Sequence, residues 1–303
     1  MKNKVVLIGC GNVGMAYAYA LVNQKVYIDE LILIDINKEK AEGEAMDLNH
    51  CVAFSQSKIK ISVGDYNECK DAKIVVITAG ANQEVGETRM DLIDKNSRIF
   101  KSIIENVMSN GFNGKFLVAT NPLDVMTFLT LKYSKLPANQ VLGSGTTLDT
   151  ARLKYIVSEK IGICPKNIEA YVIGEHGDSE FIPWSNANIA LKKLTSFLTE
   201  EEMKDIEEEV RNSAYEIISK KGATAYGIGM CLVRITNAIL EDKNIILSVS
   251  SYDKENDVCI STPAIVGKDG VQEKIHIPLT EEESKKLKNS INVIKEAITS
   301  LKN

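Results

Sequence analysis

Three side chains in the second half of the chain are of the right types for proton and carboxylate chemistry. They are His176, in Ile173-Gly174-Glu175-His176-Gly177-Asp178, and Asp149 and Arg152, in Leu148-Asp149-Thr150-Ala151-Arg152. Histidine is the side chain whose ordinary pKa, about 6.5, lets it give and take a proton near neutrality. The chain has only three, and this one has glycines close on either side, so the backbone can turn there and leave the ring uncrowded. For a lone histidine the plainer reading is a loop residue with no task; the company it keeps reverses that. Asp149 and Arg152 stand three apart on a helical pattern and so share a face. An ordinary helix ion pair is the bland reading. The functional reading gives the two separate partners. Asp149 accepts the proton-bearing ring nitrogen of His176, which fixes the tautomer and favours the charged ring. Arg152 offers a planar fork to a carboxylate, a two-bond grip that lysine cannot copy.

A third cation, Arg89, ends the segment Gly80-Ala81-Asn82-Gln83-Glu84-Val85-Gly86-Glu87-Thr88-Arg89. With Gly80 and Gly86 at its two ends, the segment reads as a lid that could swing. An arginine brought over a polarised carbonyl oxygen stabilises the charge developing there; a surface arginine at a helix start is the default otherwise. Gln83, Glu84, Val85 and Glu87 offer no second cation for a distal carboxylate, so the loop suits a substrate with a small neutral tail.

The elements that must position these groups begin with a nucleotide crevice. Val5-Val6-Leu7-Ile8 is an apolar run followed by Gly9-Cys10-Gly11-Asn12-Val13-Gly14 and a helical pattern through 21. Glycines in this spacing permit a tight turn and close approach of backbone to a pyrophosphate at a helix N-terminus. The next apolar run, 31–34, ends in Asp35, 21 residues after Gly14, placed to hydrogen-bond adenosine ribose hydroxyls. Its charge would repel the extra phosphate of NADP, so NAD is the expected cofactor; an Asp capping the next helix is the plainer alternative. Helix-like stretches at 41–50 and 88–110 alternate with strand-like runs at 59–63, 74–77 and 116–119. That alternation implies right-handed crossovers and a parallel sheet, with ligands beyond the strands' carboxyl ends. The turn at 9–14, Asp35, Ala79, Gly80 and Asn121 then surround one crevice. Pro122 suits the first position of the following helix; Asn121 either caps that helix or helps hold the reacting groups.

In the second half, 170–173 reads as a buried strand that delivers His176, and 199–221 and 224–240 read as helices. The runs 245–251, 258–266 and 274–277 read as strands of a smaller antiparallel sheet, and 281–301 as a helix with an apolar stripe at Leu287, Ile291, Ile294 and Ile298. The fold class expected is therefore α/β: a Rossmann-type parallel-sheet domain, 1–144, followed by an α+β substrate domain, 145–303.

Composition narrows the alternatives. A net charge of −5 gives no basic footprint for nucleic acid or anionic membrane. No apolar run reaches the roughly 18 residues of a membrane span, and the first residues carry no cleavable secretion pattern. Six scattered cysteines without a C-x-x-C pair suit reduced thiols in the cytoplasm rather than a disulfide framework or a metal site.

These residues carry a family resemblance that runs essentially from end to end. The glycine turn at 9–14, Gly43-Glu44-Ala45-Met46-Asp47-Leu48, Gly86-Glu87-Thr88-Arg89, Ala119-Thr120-Asn121-Pro122, Leu148-Asp149-Thr150-Ala151-Arg152 and Ile173-Gly174-Glu175-His176-Gly177-Asp178 resemble the bacterial L-lactate dehydrogenases of the lactate/malate dehydrogenase family. The resemblance implies that His176 is the proton donor and acceptor with Asp149 as its partner. It implies that Arg152 binds the substrate carboxylate and Arg89 polarises the carbonyl from the closing loop. Asn121 and Thr224, in Lys221-Gly222-Ala223-Thr224, match positions lining the site. Gln83 matches the position where lactate enzymes carry Gln and malate enzymes carry Arg. It further implies NAD, a small 2-oxo or 2-hydroxy acid as partner and a homotetramer working in fermentation and glycolysis. Two departures stand out. Glu84-Val85 replaces the Lys-Pro that often follows the Gln. Lys154 and Glu169 stand where many relatives have an Arg and a His that bind fructose 1,6-bisphosphate; Glu169 would repel a phosphate, so weak or absent activation is expected. The rival readings are a related enzyme for malate or a branched 2-oxo acid, and a catalytically silent NAD-binding module that would need Asp35 and the glycines but not the four reactive side chains together.

Overall fold

The computed structural model describes residues 2–81 and 89–301. The first half alternates β1 (Lys4–Ile8), α1 (Asn12–Asn23), β2 (Glu30–Ile34), α2 (Lys38–Val52), β3 (Lys60–Val63), β4 (Ile74–Ile77), α3 (Arg89–Ser109), β5 (Lys115–Val118), α4 (Leu123–Ser134) and β6 (Val141–Gly143). The second half runs α5 (Thr147–Ile161), β7 (Ile168–Glu169), β8 (Asn188–Ile189), β9 (Lys192–Lys193), α6 (Glu200–Lys221), α7 (Tyr226–Leu240), β10 (Ile245–Asp253), β11 (Val258–Gly267), β12 (Gly270–Lys274) and α8 (Glu281–Thr299).

Six strands pair in parallel in the order β3-β2-β1-β4-β5-β6, which is the Rossmann order. The inner strands β1, β2, β4 and β5 are apolar after at most one charged first residue, because both of their faces are covered. Val5 and Leu7 of β1 enter one core with Tyr17, Leu21 and Leu31, whereas Val6 and Ile8 enter another with Phe100, Ile104 and Phe116. The strand order reverses between β1 and β4, and such a switch point opens a crevice beyond the strands' carboxyl ends.

Three expectations are corrected. The strands after α7 do not form a smaller sheet of their own: β10, β11 and β12 continue the main sheet antiparallel, giving nine strands. The join is one residue pair, Ser250 with Gly143. A Cβ on Gly143 would crowd Ser250 Cβ at 3.1 Å across the join and overlap Thr127 Oγ1 of α4 at 2.3 Å. Periodicity shows a strand but not its neighbour, which is why the join is invisible in the sequence. The last strand is also earlier than 274–277. It begins at Gly270, where φ of +88° reverses the chain, and its ladder runs to Lys274 opposite Ala264.

Residues 170–173 follow β7 and are buried except for the half-buried Tyr171, but they are not a strand. Ile173 and Gly174 make single bridges to Phe181 and Ser261. The backbone of Val172 is satisfied by side chains instead: its N–H donates to Thr150 Oγ1 at 3.0 Å, and its carbonyl accepts from Thr146 and Ser248 hydroxyls at 2.6 and 2.7 Å. Hydroxyls on α5 and β10 have taken the place of a neighbouring strand. The stripe on α8 does pack as expected, with Ile291 and Ile294 against Val258 and Ile260. No helix among the described residues is long and apolar enough to cross a membrane.

Candidate active site

The crevice between β1 and β4 is shaped by glycines. Gly9 adopts φ +106°, and a Cβ on it would meet Ala79 N at 2.5 Å; one on Gly14 would meet Gly9 O at 2.1 Å. Only glycine allows α1 to start this close to β1 and β4. Gly11 differs: a Cβ there meets nothing within 4 Å, so this side of the turn is open. It precedes α1 with no side-chain cap, which leaves the first amides of the helix, at Asn12, Val13 and Gly14, available to an anion. Asp35 does not cap α2; Asn37 does that by accepting Lys40 N–H. Instead Asp35 accepts Cys10 N–H at 2.7 Å and Asn37 N–H at 2.9 Å, which seats its carboxylate against the glycine turn. An open turn, free helix amides and an adjacent acid fit a dinucleotide with unphosphorylated ribose.

Beyond β4 and β5, hydroxyls and one amide hold the crevice floor. Thr78 Oγ1 donates to Gly9 O at 2.7 Å, and Thr120 Oγ1 to Ala79 O at 2.8 Å. Asn96 of α3, buried, accepts Ala81 N–H at 2.8 Å and donates to Asn121 O at 2.9 Å. Sequence reasoning missed Asn96, although a signal existed: it lies on the apolar face that carries Ile93 and Phe100. Asn121 itself is exposed and is not the cap of α4. Pro122 takes that position, one residue before the helix, and makes no side-chain cap bond. Gln83 and the rest of 82–88 lie outside the described residues. Arg89 opens α3, and its side chain, like the lid expected at 82–88, lies outside them too. Thr224 is half-buried in the link between α6 and α7, and no hydrogen bond among the described residues ties it to His176.

The fold brings His176, Asp149 and Arg152 together. Asp149, 1% exposed, faces His176 Nδ1 through Oδ2 at 2.7 Å and accepts Arg152 Nη1 through Oδ1 at 2.5 Å. Asp149 thus has the partner expected for it, and Arg152 reaches the same carboxylate as well. One carboxylate holds both the imidazole and the guanidinium, and the helix ion pair coexists with the histidine contact. Among the described residues no hydrogen bond is made to Nε2, and a guanidinium with five donors can hold Asp149 and still fork onto a second carboxylate. Burial works against charge on the imidazole, but the charge and hydrogen bond of Asp149, with Glu180 and Asp124 behind it, prevail and raise its pKa to about 9. Burial would likewise raise Asp149, yet His176 and Arg152 outweigh it and hold the carboxyl below its usual range.

Two acids in this cluster escaped the sequence reading. Asp124, 2% exposed in the otherwise apolar first turns of α4, accepts the backbone N–H of His176 at 2.8 Å and the Ser250 hydroxyl at 2.6 Å. Burial pushes its pKa up to about 6, against the pull of those donors. Because α4 follows β5, this bond anchors the imidazole's loop at the carboxyl-end side of the sheet. Glu180 lies on the other side, its Oε2 3.9 Å from His176 Nδ1. Away from the site, Lys154 lies over the Tyr171 ring, 5.4 Å from its centre; burial lowers its pKa and the charge of Glu169 opposes that.

A Rossmann-order crevice that leads to an imidazole tuned by a carboxylate and shadowed by an arginine defines a class: nicotinamide-linked dehydrogenases of small acids. The chain belongs to the lactate/malate dehydrogenase family. The family's NAD binding domain matches residues 3–143, and its alpha/beta C-terminal domain matches 146–303. The chain is 51% identical to an L-lactate dehydrogenase of Bacillus pumilus and 48% identical to L-lactate dehydrogenase 2 of Bacillus cereus, over 98% of this chain and 97% of each relative. Among solved structures it is similar to a lactate dehydrogenase from a Medee basin deep-sea metagenome library, at TM-score 0.96 and 50% identity. It is also similar to the minor L-lactate dehydrogenase of Enterococcus mundtii in a ligands-bound form, at TM-score 0.97 and 40% identity; each match covers 99% of both chains.

Proposed function

We propose that the protein is an NAD-dependent L-lactate dehydrogenase that interconverts pyruvate and L-lactate. The observation that carries this is the single carboxylate of Asp149 holding His176 Nδ1 and Arg152 side by side. Gly9, Gly11, Asn12, Val13, Gly14, Asp35, Ala79 and Gly80 hold the cofactor, with Asn121 between cofactor and substrate. When bound, NADH supplies the hydride that goes to C2 of the acid. Asp149 keeps His176 protonated, and the imidazolium donates the proton on Nε2 to the carbonyl oxygen. Arg152 grips the carboxylate and fixes which face of the carbonyl is presented. Arg89 polarises the carbonyl oxygen and Gln83 faces the methyl end, roles that rest on the family resemblance alone, as does that of Thr224. In the opposite direction His176 starts neutral and takes the hydroxyl proton.

The division at 144/145 separates a cofactor unit from a substrate unit, and the joint between the two matched family domains supports it. We assign the protein to the cytoplasm, to fermentation downstream of glycolysis, and to a homotetramer. Exposed Tyr19, Tyr226 and Met230 around a groove of about 640 Å³ between α1 and α7 leave apolar surface of the kind another copy would cover. Catalytic efficiency with NADH on pyruvate, oxaloacetate and 2-oxoisocaproate tests the substrate. Pyruvate is expected to lead; a lead for either other acid makes this a relative with different specificity, and no oxidation of NADH with any of them leaves a silent NAD-binding module.

A further inference from the structure

Two carboxyl groups, not one, approach the imidazole: Asp149 and Glu180. Glu180 is 6% exposed. The chain reverses between His176 and this residue, with Glu180 N–H donating to Gly177 O at 3.2 Å and Phe181 bridged to Ile173. That reversal aims the side chain back at the ring, where Oε2 stands 3.9 Å from the same Nδ1 that meets Asp149. One polar atom from each of Asp149, His176 and Glu180 lies within 4.8 Å of the others. On its far side Glu180 lines a groove of about 460 Å³ that opens between α6 and α8. The buried cluster thus borders solvent on a side away from Asp124 and the sheet.

We propose that Glu180 is a positioning residue for this reaction, a second carboxyl group packed behind the Asp149–His176 pair that sets the pH at which His176 gives up its proton. The inference rests on His176 being the acid–base group of the reading above. Two carboxyls this close do not both ionise freely. Burial first, and then the charge of Asp149, push Glu180 well above the usual carboxyl range, against the pull of His176 and Arg152. A protonated Glu180 donates to Asp149 and takes up part of its charge. An ionised Glu180 adds a second negative charge beside Nδ1 and makes the imidazolium harder to discharge. As the pH rises, loss of the Glu180 proton therefore delays loss of the His176 proton.

The other groups facing the cluster are Arg152 on α5, Asp124 on α4 with Glu175 of the histidine's own loop beside it, and Cys231 on α7; Asp178 of that loop is exposed and lies on the groove side. The Cys231 thiol is neutral here, since burial pushes it up to about 12. Glu207 and Arg211 of α6, and Glu282, Lys285 and Lys286 of α8, line the groove side.

The test is a nuclear magnetic resonance titration of the histidine rings in the full-length protein. With only three histidines, His50→Gln and His276→Gln assign the signals. In the unaltered protein the His176 curve is expected to be broader than a one-site titration, because a coupled carboxyl titrates with it; a clean one-site curve overturns the proposal. Glu180→Gln is expected to lower the His176 midpoint by about one pH unit, with His50 and His276 unmoved as a check on the fold. Glu180→Asp, which keeps a carboxyl, is expected to return most of that shift. An unmoved His176 midpoint in Glu180→Gln, or equal shifts in both variants, also overturns it. The alkaline limb of kcat/KM for pyruvate reduction should move with the ring. If pyruvate is not reduced at all, the functional reading fails; if it is reduced and the ring titration ignores Glu180, only this inference fails.

Discussion

His176 can serve as an acid at neutral pH only because a buried carboxylate keeps it charged. Its pKa of about 9, raised from 6.5, means the protonated form dominates below that value and disappears above it. The kcat/KM for pyruvate reduction should therefore stay level through pH 7 to 8 and fall as pH passes about 9. Asp149→Asn removes the charge that opposes burial, so the alkaline limb should drop by more than a unit and kcat at pH 7.5 should fall by about a hundredfold, the usual scale of general acid catalysis. A pH–rate profile of the two proteins checks both statements. Arg152→Lys keeps the charge and loses the fork, so it should raise the pyruvate KM by about tenfold or more while kcat falls less. An unchanged KM would remove Arg152 from the carboxylate. His176, Asp149 and Arg152 were legible in the sequence because each stands in a short dense motif. Asp124, Glu180 and Asn96 were not, since each acts on a partner brought to it by the fold: Asp124 meets a backbone amide 52 residues away in sequence. Asp124 left the trace of a lone acid in an apolar stretch and Asn96 its place on the helix face of Ile93 and Phe100, whereas Glu180 left none.

At the level of elements, the turn between β1 and α1 separates two kinds of glycine requirement. Gly14 is needed for the fold, since its Cβ would overlap Gly9 O, whereas a Cβ on Gly11 meets open space. Gly11→Ala should therefore leave the melting temperature of the ligand-free protein nearly unchanged and weaken NADH binding by about tenfold, roughly 1.4 kcal/mol. Calorimetric titration with NADH and a thermal melt separate the two effects. The parallel strands and their helices were readable because strands buried on both faces are apolar at every position and end at turn residues. The segment 170–173 has the same composition, yet the backbone of Val172 within it is bound by hydroxyls of Thr146, Thr150 and Ser248. Apolar runs report burial, and burial alone does not say which groups satisfy the backbone.

For the whole molecule, the nine-stranded sheet joins the two family domains through β6 and β10. Ser250, on β10, also holds Asp124 beneath the imidazole, so cofactor and substrate units share one core and one polar network. No sequence period reveals this join, because the partners are more than a hundred residues apart and meet at a glycine. The sugar-bisphosphate prediction also belongs at this scale. Lys154 is engaged with Tyr171 and the charge of Glu169, and fructose 1,6-bisphosphate should change the pyruvate KM less than about twofold, as expected where an acid faces a phosphate. Assays with and without the sugar bisphosphate decide it. The account as a whole depends on one imidazole meeting one pinned acid. A crystal structure with NADH and oxamate, a pyruvate mimic, measures that directly. It should place His176 Nε2 about 3 Å from the mimic's central oxygen, with its carboxylate in the fork of Arg152; a mimic seated away from the ring, or held by another cation, would contradict it.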